Sequence, residues 1–227
     1  GVGAKVAEKL ARLNIQTVED ALFHLPLRYE DRSRIYPIID CLTGNHVSVV
    51  GQVVSCQLQF GKRRMLVVKI ADVTGTMTLR FFNFSAAQKS QLEQGVWLKC
   101  FGEVRVGRFG PEMTHPEYRK VDPEQTISVA DSLTAVYPTT EGLKQASIRN
   151  IVEQALSRLE KYQVEELLPT EELPQGLTLK QAIKLCHNPA VDTPYHLLEM
   201  GTHPAQQRLA LEELTSHQLS MLNRKHQ

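Results

Sequence analysis

A chain of 227 residues with 42% hydrophobic content can build a real core, as one large domain or two small ones. It has no apolar run near the ~20 residues of a membrane-spanning helix, and its net charge of +1 excludes a uniformly basic nucleic-acid-binding surface. The charge is uneven, however: residues 1–40 carry six basic and six acidic side chains, residues 41–121 eleven against five, and residues 122–227 nine against fourteen. A basic middle between neutral and acidic flanks suits a polyanion held at one place; a local excess of solvated charge is the plainer reading.

Val6, Leu10 and Leu13 lie on one face of a first short helix that Asn14 can end. Thr17, with Asp20 three residues on, caps a second helix over about Val18 to His24, and Pro26 stops it. Gly1-Val2-Gly3 before these helices resembles half of a helix-hairpin-helix element. Backbone N–H groups there could hold a phosphate, or the pair could simply brace the next domain. The chain opens inside this motif, so its true N-terminus is expected upstream. A charged, prolyl connector follows through Tyr36-Pro37.

From residue 46 the pattern turns to alternating β-type sequence. The expected strands are Val47 to Cys56, with Gly51 marking a bulge or bend, then Arg64 to Val73, Thr76 to Phe84, Val96 to Val106, and Met113 to Val121 at an edge because of Pro116. Asp72-Val73-Thr74-Gly75 is a turn. Ser85 caps a short helix that Gly95 ends. Five strands with a helix between the third and fourth is the order of an OB-fold, a small barrel that binds oligonucleotides on strands 2 and 3 and their nearby loops.

After a proline-punctuated connector, Ile148, Ile151, Val152, Ala155, Leu156 and Leu159 recur at helical spacing. Thr178 caps a helix bearing Leu179, Ala182, Ile183 and Leu185, which Asn188-Pro189 stops. A last helix starts at Pro204 with Leu211, Leu214, Gln218 and Leu222, and has no stop signal. The chain thus reads as α+β and multi-domain: a helical segment at 1–40, a five-stranded OB-fold barrel at 41–121, and an extended linker with helices at 122–227, so that helical segments flank the barrel on both sides.

The third expected strand carries the functional reading. Alternation places Met77, Leu79 and Phe81 on one face and Thr78, Arg80, Phe82 and Phe84 on the other. Rings and a guanidinium on one exposed row suit stacked bases and neutralised phosphates. Phe81 is core support or a third stacking ring. Lys62, Arg63, Arg64 and Lys69 on strand 2 and its turn extend that surface, and Lys99, Arg105 and Arg108 on or after strand 4 could lengthen the basic track. Each of these charges alone is compatible with plain solvation. Two rival purposes for the rings are a protein-docking OB-like module without direct DNA contact, and a brace in which they lie beneath residues 148–227.

No catalytic or metal-binding constellation is expected. Cys41, Cys56, Cys100 and Cys186 form no C-x-x-C pair and read as small buried hydrophobes. The eight histidines show no H-x-x-x-H spacing. There is no phosphate loop and no G-x-S-x-G elbow. A reducing, cytoplasmic setting follows.

Six runs carry a resemblance over nearly the whole chain. They are H-L-P-L-R-Y-E-D-R (His24 to Arg32), L-R-F-F-N-F-S-A-A (Leu79 to Ala87), H-P-E-Y-R (His115 to Arg119), V-Y-P-T-T-E-G (Val136 to Gly142), E-E-L-L-P (Glu165 to Pro169) and H-P-A-Q-Q-R-L (His203 to Leu209). In these the chain resembles the wedge region of the RecG family of bacterial ATP-dependent DNA helicases. The resemblance implies an N-terminal fragment whose motor domains lie beyond Gln227. It implies a parent enzyme that uses ATP and magnesium in fork reversal, Holliday junction processing, recombination and repair, while the fragment holds no cofactor and is inactive alone. It further implies a nucleoid-associated monomer that binds branched DNA, with the single-stranded DNA-binding protein as a further partner. Stacking falls on Phe82 and Phe84, with Phe81 beneath or beside them, and phosphate contact on Lys62, Arg63, Arg64, Lys69 and Arg80.

Overall fold

The computed structural model describes residues 2–60, 64–122 and 133–225. In chain order their α-helices and strands are α1 (Ala4–Ala11), α2 (Val18–Phe23), β1 (Arg28–Glu30), β2 (His46–Gln59), β3 (Met65–Ala71), β4 (Thr76–Phe81), α3 (Ala86–Gln91), β5 (Trp97–Glu103), β6 (Arg105–Gly107), β7 (Gly110–Thr114), β8 (Glu117–Lys120), β9 (Thr134–Val136), α4 (Gln145–Leu159), α5 (Leu179–His187), α6 (Tyr195–Glu199) and α7 (Pro204–Lys225).

The three parts expected from the sequence become two compact units. One takes in the described residues of Gly1–Asp31 and Ser132–Gln227, the other those of Arg32–Asp131. The two ends of the chain fold together because β1 pairs antiparallel with β9, setting Arg28 opposite Val136 and Glu30 opposite Thr134. They also share one core, which includes Leu10, Leu22, Ala135, Ile148, Ile183 and Leu198. Such pairing between distant segments leaves no local trace in sequence.

In this terminal unit the local signals act as read. Asn14 takes φ 59° just past α1. Thr17 and Asp20 form a reciprocal capping box on α2, as do Thr178 and Gln181 on α5. Helix α4 buries Ile148, Val152, Ala155, Leu156 and Leu159. Helix α7 departs from expectation: Leu214 and Leu222 are exposed, and Ala205, Arg208 and Leu209 are buried instead.

The middle unit holds one seven-stranded sheet in the order β6-β7-β4-β3-β2-β5-β8. Strands β4 and β7 run parallel, and the other pairs are antiparallel. The expected fourth and fifth strands are each split. At Val104 the chain leaves the ladder to bond the turn before β2: Val104 N–H donates to the Asn45 carbonyl at 2.9 Å, and Gly44 N–H donates to the Val104 carbonyl at 2.8 Å. At Pro116 a missing N–H and a preceding left-handed residue, His115 at φ 50°, separate β7 from β8. The two halves of that last segment lie on opposite margins of the sheet, β7 against β4 and β8 against β5.

Alternation along β3 and β4 places Leu66, Val68, Ile70, Met77, Leu79 and Phe81 in the core. The bulge expected at Gly51 falls instead between Val53 and Ser55. Glycine is needed at 51 for close approach, since a Cβ there would stand 3.0 Å from the Ala71 carbonyl oxygen. At the β3–β4 turn the Asp72 carboxylate accepts from Thr74 N–H at 2.7 Å, Gly75 N–H at 2.8 Å and Ile38 N–H at 2.8 Å.

Candidate nucleic-acid interface

Sheet register assembles the outer face of the middle unit. Ser55 pairs with Lys69, Lys69 with Thr78, Thr78 with Glu112, and Glu112 with Arg105, giving one cross-strand row over β2, β3, β4, β7 and β6. The next row is Gln57, Val67, Arg80 and Thr114. Lys69, Arg80 and Arg105 are therefore brought onto one face by long-range pairing. Arg80 Nε bonds Glu112 at 2.8 Å, both side chains being largely buried, and Arg80 also reaches Met65 Sδ at 3.6 Å. Arg105 is exposed and bonds Glu103 at 2.8 Å, which holds that carboxyl below the usual range. Lys69 forms no ion pair among the described residues. Among the described residues, Lys69 thus brings an ammonium outside any ion pair to this face, and Arg80 and Arg105 bring guanidinium groups already held by carboxylates.

The rings are arranged differently from the expected row. β4 ends at Phe81. Phe82 and Phe84 lie beyond it, where period-two alternation no longer applies. Phe81 is 2% exposed and packs in the core of its own unit. Phe84 is half-buried against the core of its own unit, and the exposed Arg64 lies over it, 5.0 Å from the ring centroid. Phe82 is 36% exposed and faces solvent. Because β4 and β7 are parallel, their exits meet at one end of the sheet, and His115, just after β7, stands beside Phe82. Edge contacts from His115 at 6.1 Å and from Tyr118 at 5.6 Å fix the Phe81 ring behind them.

The remaining expected residues are scattered. Lys62 and Arg63 lie outside the described residues, as does Gly1. Lys99 sits on β5 opposite Val50, in the first half of β2, whereas Lys69 lies against the second half; β2 changes partner near Gln52, so the two lysines do not share a track. Arg108 is exposed with its guanidinium 5.4 Å from the Phe109 ring. Two rings escaped the sequence reading, Phe60 at 79% exposure and Phe109 at 74%. Both precede a glycine in the sequence, and Phe109 lies in the turn between β6 and β7; a large apolar residue just before a glycine is the signal that would have found them.

Elsewhere the chemistry is structural. Cys100 and Cys186 are buried, their thiols pushed up to about 12. His187 is buried between Tyr137 OH and the Leu22 carbonyl, each at 2.8 Å. Among the described residues no group of His, Cys, Asp and Glu could hold a metal ion, and no helix is long and apolar enough to cross a membrane.

Comparisons with known proteins show the family. The family model for the RecG wedge domain matches residues 1–159. The chain is 50% identical, over 98% of its length, to the ATP-dependent DNA helicase RecG of Escherichia coli K12, covering 32% of that protein. It is 48% identical over 97% of its length to that of Pasteurella multocida, again covering 32% of the relative. A solved structure of RecG bound to a three-way DNA junction superposes with a TM-score of 0.73 at 28% identity, covering 100% of this chain and 30% of the other. The chain spans about a third of the length of the relatives it matches. On a family model matched across both units and half-identical relatives across nearly its whole length, this chain belongs to the RecG family, through its wedge domain.

Proposed function

We propose that this chain is the branch-recognising part of an ATP-dependent DNA helicase, and that its middle unit engages forks, three-way junctions and Holliday junctions. The observation that carries the reading is the exposed Phe82 ring at the exit of β4, beside a sheet face bearing Lys69, Arg80 and Arg105. An aromatic face can take an unpaired base and cations take the flanking phosphates. The junction bound by the related RecG supports the choice of branched over linear DNA. We read the seven-stranded sheet as an OB-type barrel of five strands with the last two broken, which the parallel β4–β7 pair and the β5–β8 pair support. The proposed site comprises Phe82 with Phe84 and Arg64 at its side, and Lys62, Arg63, Lys69, Arg80, Arg105 and Arg108 on the phosphates. Lys99 lies apart from it, and Phe81 supports it from within.

ATP with magnesium, fork reversal, recombination and repair, and contact with the single-stranded DNA-binding protein belong, in this proposal, to the longer protein acting as a monomer near the bacterial nucleoid. The test is a titration of this chain with a three-way junction and with linear duplex at two salt concentrations. Preference for the junction, with affinity falling steeply in salt through counterion release, is the expected result. Equal binding of both DNAs, or binding indifferent to salt, sinks the reading and favours a protein-docking module.

A further inference from the structure

We propose that His115 is the second ring of the base-stacking platform and the residue that positions the first. The proposal rests on the branched-DNA reading above, and its ligand is an unpaired base at the branch point.

Four observations converge. The parallel β4–β7 pair delivers Phe82 and His115 to the same end of the sheet, and His115 N–H donates to the Arg80 carbonyl at 2.8 Å, extending that pairing one residue past β7. His115 is exposed, and its ring centroid lies 5.5 Å from that of Phe82, inclined at 56°. The two rings are therefore inclined neighbours at one end of the sheet, and histidine stacks on unpaired bases as the larger aromatics do. Phe82 N–H has left the sheet ladder and donates to His115 Nε2 at 3.3 Å. That bond requires the neutral imidazole with its proton on Nδ1, and it ties down the backbone carrying the exposed ring. Finally, His115 holds φ at 50° immediately before a proline. Histidine is, with asparagine and aspartate, among the residues enriched at positive φ, and glycine holds it most readily, so the turn tolerates an imidazole without requiring one. Strained backbone kept at an exposed ring pair marks a position where the side chain has a use.

The test exploits that strain. His115→Gly and His115→Asn both suit the left-handed turn and remove the ring, so both variants are expected to fold, with unfolding midpoints near that of the parent chain. Each is expected to weaken binding of a three-way junction by about fivefold or more, and to abolish the quenching of a 2-aminopurine placed unpaired at the branch point. Joined to Phe82→Ala, neither is expected to add its full effect, because the two rings act as one unit. If either folded variant binds the junction within about twofold of the parent, with quenching intact, while Phe82→Ala alone loses affinity, His115 is only a turn residue and the proposal is overturned with the branched-DNA reading left standing. If the parent chain itself does not distinguish junction from duplex, that reading falls and this proposal falls with it.

Discussion

Phe82 and Phe84 are alike in sequence and unlike in place, and their variants should separate. Phe82 is exposed at the end of β4, so Phe82→Ala is expected to leave urea unfolding within about 0.5 kcal/mol of the parent. The same change should weaken junction binding roughly tenfold, the scale of one lost stacking contact. Phe84 packs on the core of its unit, so Phe84→Ala should cost about 1–3 kcal/mol of stability, as truncation of a half-buried ring does. Destabilisation of equal size in both variants is the result that counts against this division. The charges invite a similar contrast. Glu112 sits between Arg80 and Arg105 and engages Arg80 at 2.8 Å. Glu112→Gln removes an anion from a cationic face and frees a guanidinium, so junction affinity is expected to rise and its salt dependence to steepen. Lys69→Ala should reduce the salt slope by about one unit.

At the scale of elements, what is coded by neighbours was legible and what is coded by distant partners was not. The capping boxes at Thr17 and Thr178, the Asp72 turn and the inward row ending in Phe81 all follow from residues within four positions of one another. Where β4 ends was invisible, because its hydrogen bonds go to β3, whose ladder with it ends at the Leu66–Phe81 pair, and to β7, more than thirty residues away. That single unknown misplaced Phe82 and Phe84 by extending a two-residue period beyond the strand, and it left His115 unconnected with Phe82. The inward face of α7 was missed for another reason: its centre is a charged residue. Arg208 is 0% exposed, bonds Glu212 at 2.6 Å and Glu166 at 2.5 Å, and its buried Nε has no partner among the described residues. Apolar spacing cannot reveal a helix face built on a buried guanidinium. The pairing predicts a large asymmetry between ion pairs. Arg208→Ala, which strands two carboxylates beside a core, should cost about 3–5 kcal/mol. Arg105→Ala, which breaks the exposed pair with Glu103, should cost no more than about 1 kcal/mol. Urea unfolding followed by helical circular dichroism for the first and by Trp97 emission for the second measures both.

The two units also differ in how acid acts on them. His187, in the terminal unit, is held neutral, its pKa pushed below the ordinary 6.5 chiefly by burial. The unfolded chain therefore binds a proton there that the folded chain refuses, and stability is lost as pH falls below about 6.5. His203, in the same unit, is lowered by burial and acts in the same direction. In the middle unit Asp72 has its pKa lowered: partial burial opposes ionisation, but bonds from the Thr74 side chain and from the Ile38, Thr74 and Gly75 backbone outweigh it. Its stabilisation is present above about pH 4 and disappears only as pH falls through the lowered value. Between about pH 6.5 and pH 4 acid should thus weaken the terminal unit first. Reporters exist for each: the single tryptophan, Trp97, lies on β5, while among the described residues every α-helix except α3 belongs to the terminal unit. Thermal melts at about pH 5 should show helical circular dichroism lost at a lower temperature than the Trp97 emission change, with the gap narrowing toward about pH 7.5. His187→Asn keeps a neutral polar ring substitute that does not titrate, and it should flatten the pH dependence of the helical transition while leaving the Trp97 transition unmoved. Coincident transitions at both pH values, or a gap indifferent to the His187 substitution, would show that this histidine is not what makes the terminal unit sensitive to acid.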